Sequence, residues 1–334
     1  MTIQIPYQEV TVSKTTAVIL VNLGTPEEPT AKGVSRFLKK FLSDKRVVEA
    51  PALIWWFVLR LVVIPLRKKR VAHAYQSIWT DQGSPLRVIS ERQSQLLQEM
   101  LKQQQVDARV VTAETYGKIS LADTVKELEH QGVERIVIIP MYPQYSGSTT
   151  GAIFDQLADL YKNSRNVPDL RVVKDFYDHP LYIEALANSV TRFWNQHGRN
   201  KMLLISFHGV PKSYVENGDP YYEQCQRTSA LLANKLELDE QQWCMTFQSR
   251  FGPKEWLQPY TDETLKQLAQ QPQASVDIVS PAFVADCLET LEELNVENRK
   301  FFLEAGGEKF GFIPCLNDEK IFIECLSHLI KSEI

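Results

Sequence analysis

The chain has 334 residues, enough for one large domain or two of ordinary size. Hydrophobic residues make up 44% of the sequence and charged residues 23%, which is the balance of a globular protein in water. A formal net charge of -4 gives no support for nucleic-acid binding, and five cysteines without a C-x-x-C pair argue against a disulfide framework or a four-thiolate cluster.

The first ten residues, "MTIQIPYQEV", lack a basic region followed by an apolar core, so no signal peptide is predicted. Together with cysteines that are simplest to interpret as reduced thiols, this predicts a cytoplasmic protein.

Apolar runs rich in Val and Ile alternate with amphipathic segments along the chain, a pattern that predicts an α/β fold with mostly parallel sheets. The predicted strands are 16–23, 108–114, 134–140, 171–176, 202–207, 243–249 and 276–281. The predicted helices are 121–131, 151–162, 181–197, 221–236, 261–271, 287–304 and 317–331.

The segment "PALIWWFVLRLVVIPLRKKR", residues 51–70, is strongly apolar and ends in four cations. It is too short to span a bilayer comfortably, and a charge interrupts it at Arg60. The simpler interpretation is a buried helix with a solvated basic end. The alternative is a helix that lies on a membrane surface or forms the lip of an apolar pocket, which would suit its Trp pair and its basic cluster.

The two halves of the chain repeat one order of motifs. "AVILVNLGTP" corresponds to "MLLISFHGVP", "VVTAETYG" to "CMTFQSRFG", and "RIVIIPMYPQYSGSTT" to "VDIVSPAFVADCLETL". The order predicts two similar, doubly wound lobes with parallel sheets, an N-terminal lobe over 1–175 that carries the segment 51–70 and a C-terminal lobe over 176–334.

Six segments follow the predicted strands directly: "LGTP", "TYG", "YPQYSGSTT", "FHG", "RFGPKEW" and "ADCLETLEE". In open α/β sheets the ligand lies beyond the carboxyl ends of the strands. These positions therefore predict one cleft between the lobes. Aromatic residues at the same strand ends suit a large, flat, apolar ligand. They are Tyr116, Tyr142, Tyr145, Phe207, Phe251, Trp256 and Phe283.

His208 ends an apolar strand and precedes Gly209, so its imidazole is a candidate proton acceptor or metal ligand. The alternative is a histidine with a purely structural role at a strand end. Glu289, Glu293 and Glu297 are spaced by four residues on a predicted helix. They form either a solvated acidic stripe or a carboxylate track for a divalent cation or for protons.

The loop "SGSTTG", residues 146–151, lies between a predicted strand and a predicted helix. Its backbone N–H groups, beginning at Ser146, could bind an anion, or Ser148, Thr149 or Thr150 could cap the helix. No P-loop, dinucleotide-binding or hydrolase-elbow motif is present.

Six motifs together resemble the ferrochelatase family, from about residue 16 to the C-terminus: "VNLGTPEEP", "SIWTDQGSPL", "YPQYSGSTTGAIFD", "FHGVPKSYVENGDPYYEQC", "FQSRFGPKEWLQPYTDETL" and "AFVADCLETLEELNVENR". The resemblance implies a chelatase-like fold of two Rossmann-like lobes around a porphyrin cleft. It also implies an enzyme, a lyase, that inserts ferrous iron into protoporphyrin IX in haem biosynthesis.

The resemblance implies roles for particular residues. His208 matches the family's cleft histidine, assigned to iron ligation or to pyrrole deprotonation, and Glu289 matches the carboxylate that faces it. Glu293 and Glu297 match an acidic track, so all four are candidate metal ligands. Residues 51–70 match a lip that some members use at membranes. Positions of the porphyrin wall match Leu23, Tyr116 and Trp256, and the strand-end segments add Tyr145, Ser146 and Phe283 to the predicted binding set.

The sequence departs from the family pattern at two places. Gly147 stands where cluster-bearing members have a cysteine, so we predict no [2Fe–2S] cluster and no permanently bound cofactor. Cys287 stands where many members have a histidine, which puts a second histidine beside Glu289 in doubt. We expect porphyrin and ferrous iron as partners, a monomer, and peripheral contact with the inner face of the membrane.

Three alternatives stay open at this point. The first is a chelatase for another ring or metal, namely coproporphyrin, a sirohaem precursor or cobalt. The second is a tetrapyrrole carrier without chemistry, and the third is a two-lobed protein that binds an anionic solute.

Overall fold

The computed structural model describes residues 15–334, and its framework is two four-stranded parallel sheets. The first contains β1 (Thr16–Asn22), β2 (Ala108–Glu114), β3 (Arg135–Pro140) and β4 (Asp169–Val172), in the order β2-β1-β3-β4. The second contains β5 (Met202–His208), β6 (Trp243–Gln248), β7 (Ser275–Val279) and β8 (Lys309–Phe312), in the order β6-β5-β7-β8. The identical order confirms the predicted α/β fold of two similar halves, while the exact boundary at 175 stays a prediction.

Helices cover these sheets. Those of the first half are α1 (Ala31–Leu42), α2 (Ala52–Val58), α3 (Ile64–Ile78), α4 (Pro85–Gln103), α5 (Leu121–His130) and α6 (Ala152–Tyr161). Those of the second half are α7 (Pro180–His197), α8 (Lys212–Glu216), α9 (Tyr221–Lys235), α10 (Thr261–Ala269), α11 (Arg299–Glu304) and α12 (Lys320–Lys331). Wider π-helical turns occupy Leu59–Val63, Gly147–Gly151 and Glu289–Asn298.

Each predicted strand and helix has a counterpart in the described part of the chain, within a few residues at each end. The structure adds β8 and four helices that the pattern does not predict, α1, α3, α4 and α8. Strand β1 is buried along its whole length, as expected for a parallel strand that is covered on both faces.

The two halves share one hydrophobic core. Side chains of both sheets, among them Leu20 of β1 and Ile205 of β5, belong to a single buried cluster with residues of α7 and α12. Tyr182 of α7 lies in this cluster, and its hydroxyl donates a hydrogen bond of 2.6 Å to the carbonyl oxygen of Pro281. The cleft is therefore built on one continuous core.

The segment 51–70 is not a buried helix, so the simpler interpretation of its sequence is wrong. Helix α2 has no buried residue, and Leu53, Leu61 and Leu66 are 74%, 68% and 75% exposed. Only Leu59 and Ile64 are buried in the apolar run. The physical reason is that these two residues suffice to attach the segment to α1, and the rest of its apolar surface faces away from the protein.

Close packing at the strand ends explains Gly24 and Gly209, the glycines of the first pair of repeated motifs. A Cβ atom at Gly24, whose φ is +97°, would lie 2.6 Å from the backbone nitrogen of Gly117. In the second half, a Cβ atom at Gly209 would lie 2.9 Å from the carbonyl oxygen of Gln248. In both halves, the loops after neighbouring strands therefore approach each other closely at the edge where the cleft opens.

We predict that Gly24→Ala lowers the free energy of unfolding by at least about 3 kcal/mol, because it combines left-handed strain with a backbone clash. Gly132→Ala is the matched control, since Gly132 has a φ of +81° but a Cβ atom there would meet no other atom within 4 Å. That change should cost only about 1 to 2 kcal/mol. Urea denaturation of both variants measures the difference, and equal costs would contradict the packing argument.

Candidate active site

A cleft of about 710 Å³ opens at the carboxyl ends of both sheets. The last residues of β1, β5 and β6, which are Asn22, His208 and Gln248, contribute to its wall. The remaining wall comes from α1, α3, the loop 282–288 and the π-helical segment Glu289–Asn298. The predicted position of the ligand cleft therefore agrees with the structure.

The cleft brings together all four predicted metal-site residues and four of the six predicted substrate-binding residues. The residues that line it are His208, Glu289, Glu293, Glu297, Leu23, Ser146, Trp256 and Phe283. They come from both halves of the chain, so the fold joins residues that the sequence separates widely.

Tyr116 and Tyr145 lie outside the cleft wall. Tyr116 is buried, its ring centroid is 5.2 Å from that of Phe41, and its hydroxyl donates to Asp44 at 2.8 Å. The ring of Tyr145 lies 5.2 Å from Lys174 Nζ instead. Tyr116 thus supports Phe41, which lines the cleft, and a role of either tyrosine in binding the ligand stays a prediction.

His208 has a defined tautomer. Its Nδ1 atom is 2.7 Å from the carbonyl oxygen of Gly209, which can only accept, so Nδ1 carries the ring proton. The Nε2 atom is therefore left with a lone pair. The hydroxyl of Tyr221 donates to the carbonyl oxygen of His208 at 2.9 Å and fixes the end of β5.

The charge state of His208 is set by two opposing effects. Burial lowers the pKa of the imidazole below its usual value, and the carboxylate of Glu289 acts in the opposite direction. The net effect is a lowered pKa, so the imidazole is neutral near pH 7 and can accept a proton.

Glu289 is the first residue of the π-helical segment, and a buried network holds the turn before it. Asp286 Oδ1 accepts from the hydroxyl of Thr290 at 2.9 Å, and Asp286 Oδ2 accepts from the side chain of Asn317 at 2.7 Å. Gln248 donates from its side-chain amide to the carbonyl oxygen of Glu289 at 2.9 Å. Both ends of this turn are therefore attached to elements of the second sheet.

Glu293 lies deeper than a solvated acidic stripe would place it. Its Oε2 atom accepts from the hydroxyl of Ser249 at 2.5 Å and from the side chain of Gln248 at 3.3 Å. Burial raises the pKa of this carboxyl to about 7, although the hydrogen bonds from Ser249 oppose the rise. Glu293 can therefore gain or lose a proton near neutral pH.

The loop 146–151 already holds a carboxylate of the same chain. Asp219 Oδ2 accepts from the backbone N–H of Gly147 at 2.7 Å and from the hydroxyl of Ser146 at 2.9 Å. The cap of the following helical turn is Ser146, whose hydroxyl oxygen accepts from the backbone of Ser148, and not one of the three hydroxyl residues after it. Asp219 thus takes the place of the external anion that the sequence suggested.

The sequence did not single out the cations of α3 that line the cleft. Arg67, Arg70 and His73 face into it from the end of the apolar segment. Across the described residues, no carboxylate forms an ion pair with Arg67 or Arg70. The sequence marks Arg67 and Arg70 only as the first and last residues of the "RKKR" run, and His73 follows three residues later.

Residues 15–334 contain neither a ready-made metal-binding group nor a membrane-spanning helix. No group of three or more His, Cys, Asp and Glu side chains is positioned to hold a metal ion. No helix there combines the length and the hydropathy that crossing a membrane requires. The four candidate ligands in the cleft therefore do not form a closed metal cage in this conformation.

Comparison with known proteins gives a consistent result. A family model described as Ferrochelatase matches residues 15–334. The ferrochelatase of Janthinobacterium sp. (strain Marseille) is 49% identical over 316 residues, which cover 95% of this chain and 86% of that protein. The ferrochelatase of Aeromonas hydrophila subsp. hydrophila is 49% identical over 319 residues, which cover 96% of this chain and 98% of that protein.

Solved structures of chelatases share the fold. SirB from Bacillus subtilis with Fe³⁺ has a TM-score of 0.54 and 12% sequence identity, covering 75% of this chain and 92% of that chain. The sirohydrochlorin chelatase SirB from Bacillus subtilis subspecies spizizenii, in complex with cobalt, has a TM-score of 0.50 and 11% identity, covering 75% and 91%.

We predict that Glu293→Gln changes how stability depends on pH. Between pH 4.5 and about 7 the native state holds the Glu293 proton and the unfolded state releases it, so the wild-type free energy of unfolding falls as pH rises. The slope from this group is at most about 1.4 kcal/mol per pH unit. The glutamine variant should lose that slope and become relatively more stable above pH 7. Urea denaturation across this range tests it, and parallel curves would contradict it.

Proposed function

The chain belongs to the ferrochelatase family, and from this premise we propose that its cleft inserts Fe²⁺ into protoporphyrin IX to form protohaem with release of two protons, the last step of haem biosynthesis. The protein is an enzyme, a lyase. One observation carries the proposal for the site: His208, which ends β5, and Glu289, which follows β7, line one cleft and interact electrostatically.

His208 is the proposed acceptor of pyrrole protons. Iron insertion exchanges a dication for two protons, so the net charge of the macrocycle is unchanged and a base must remove the protons. The Nε2 lone pair of His208 is available because Nδ1 is held by Gly209, and the lowered pKa keeps the ring neutral at pH 7.

The carboxylates Glu289, Glu293 and Glu297 form the proposed route between the reaction centre and solvent. All three line the cleft along one π-helical segment. Because Glu293 titrates near pH 7, it can pass a proton along this route without a large energetic cost. Carboxylate oxygens also suit a divalent cation, so the same residues are candidate ligands for iron.

The wall of the cleft supports a flat, apolar ligand with a charged edge. Phe37 and Phe41 of α1 line the cleft together with Trp256 and Phe283 from the second half of the chain. Arg67 lies among these residues without a carboxylate partner, so it can pair with a carboxylate of the porphyrin. Contacts with the periphery of the ring supply the binding energy that bends it and exposes its nitrogens.

The exposed apolar face of residues 51–66 supports contact with a membrane surface. Leu53, Trp56, Leu61 and Leu66 project from it, and the guanidinium of Arg60 lies 4.3 Å from the Trp56 ring centroid. Apolar groups beside a basic run are the pattern of a helix that lies in the headgroup region. We propose peripheral binding at the inner face of the membrane, by a cytoplasmic protein.

We also propose a monomer without a resident iron–sulfur cluster. Residues of both halves of the chain complete the wall of the cleft, so the proposed site needs no second copy, which supports the monomer. Gly147 stands at the cluster-cysteine position of the family pattern, and its backbone N–H is bonded to Asp219, which supports a structural role for this loop.

The main experiment compares wild type and His208→Ala under anaerobic conditions with Fe²⁺. The variant should lose about 100-fold or more in kcat because it lacks the proton acceptor, while protoporphyrin binding, followed by fluorescence, stays close to wild type. His130→Ala, at an exposed helix end, is the control and should keep full activity. Unchanged turnover in His208→Ala would end the assignment. Faster wild-type turnover with coproporphyrin, or with Co²⁺, would favour the alternative chelatases.

A second experiment tests the membrane surface. Leu53→Asp should weaken binding to vesicles that contain anionic phospholipid by about tenfold, because it places a charge where an apolar side chain would be buried. Phe154→Asp is the matched control, since Phe154 is also an exposed apolar residue but lies on α6. Co-sedimentation measures both, and an equal loss in the two variants would contradict the proposal.

A further inference from the structure

Two histidines form a contact outside the cleft. His179 is the residue before α7, and His328 lies in the last turn of α12. His179 Nε2 and His328 Nδ1 are 2.9 Å apart, and the ring centroids are separated by 4.9 Å with 60° between the planes. Because α12 packs along α7, this pair ties the C-terminal helix to the start of its neighbour.

The hydrogen bonds around the pair determine where its proton lies. The backbone N–H of Leu181 donates to His179 Nδ1 at 3.3 Å, so that nitrogen carries a lone pair. The ring proton of His179 is then on Nε2, and it is donated to His328 Nδ1. One proton therefore joins two imidazole nitrogens, and His328 is exposed to solvent.

We propose that His179 Nε2 and His328 Nδ1 bind a borderline transition-metal cation, of the class of Zn²⁺, Ni²⁺ or Cu²⁺, in place of the proton that joins them. Imidazole is a preferred ligand of these ions. Two nitrogens that each lie about 2.0–2.1 Å from one metal ion are separated by about 2.9–3.4 Å at the usual bond angles. The pair is already at the short end of this range, and the ring of His328 is exposed to solvent, so it has room to turn its Nδ1 lone pair toward the ion.

The surroundings of His179 can accommodate the change of tautomer. Metal binding at Nε2 moves the ring proton to Nδ1, and ligating histidines usually donate their other N–H to a neighbouring acceptor. Cys325 Sγ lies 3.4 Å from His179 Nδ1 and can accept a hydrogen bond from this N–H, while the hydrogen bond from Leu181 is given up. The proton stays on the imidazole, so the step balances without a further reactant.

One carboxylate favours a cation here, since Asp178 precedes His179 and its charge acts on that imidazole. Glu324 lies one turn before His328 on α12, where it forms an ion pair of 3.7 Å with Lys320. Since no three side chains in residues 15–334 form a ready-made metal group, water completes the coordination sphere, and the site is a two-nitrogen clip between α7 and α12.

The test measures Zn²⁺ binding by calorimetry in wild type, His328→Ala and His328→Gln. In wild type we expect a Zn²⁺ site outside the cleft, and this site should become at least about tenfold weaker in both variants. The glutamine variant can still accept a hydrogen bond from His179, so it separates loss of the metal ligand from loss of the helix contact. With Cu²⁺, electron paramagnetic resonance of the wild type should show two nitrogen ligands outside the cleft.

Two further variants separate this site from other binding. His130→Ala removes an exposed histidine from the last turn of another helix, and His208→Ala removes the candidate ligand in the cleft. Both should keep the site, and iron insertion by His328→Gln should equal that of wild type. Equal Zn²⁺ binding in wild type and His328→Gln, an equal loss in His130→Ala, or a loss confined to His208→Ala would each overturn the proposal.

Discussion

The cleft depends on the electrostatic interaction between His208, the last residue of β5, and Glu289, which begins the π-helical segment after β7. Burial keeps the imidazole neutral, and the nearby carboxylate limits how far the pKa of His208 falls. The turn before Glu289 is fixed by Asp286, and the end of β5 is fixed by Tyr221. These supports place a neutral base and an acid in one cavity before any substrate arrives, which is the preorganisation that catalysis requires.

Much of this arrangement could be predicted from the sequence, because parallel strands place their carboxyl ends at one edge and the motifs follow those ends. His208 and Glu289 were placed at the cleft in this way, and Glu293 and Glu297 by their spacing on the following helix; all four line the cleft. The role of Asp219 could not be predicted, since it reaches the loop at Gly147 from 72 positions away and only the fold brings them together. The pattern of residues 51–70 was also ambiguous, because hydropathy shows that a segment is apolar but not what covers it.

The three glutamates show a second limit of prediction from the sequence. Spacing by four residues predicts a shared helix face, and the three glutamates do line one cleft. It does not predict that their environments differ. Glu293 accepts hydrogen bonds from Ser249 and Gln248 of the β6 end, which is a tertiary contact, and its pKa is raised to about 7 by burial. The raised pKa of Glu293 therefore arises from packing and not from its place in the chain.

The continuous core beneath the cleft restricts how the enzyme can move. Because Leu20 and Ile205 belong to one buried cluster, rotating one half against the other like the jaws of a hinge would expose apolar surface at a high free-energy cost. A change in the shape of the mouth is then easiest in the segment around α2, which has no buried residue and where Trp55 Nε1 donates to the carbonyl oxygen of Leu42 at 2.6 Å. The floor of the cavity is therefore rigid, and the porphyrin ring has to adapt its shape to that floor.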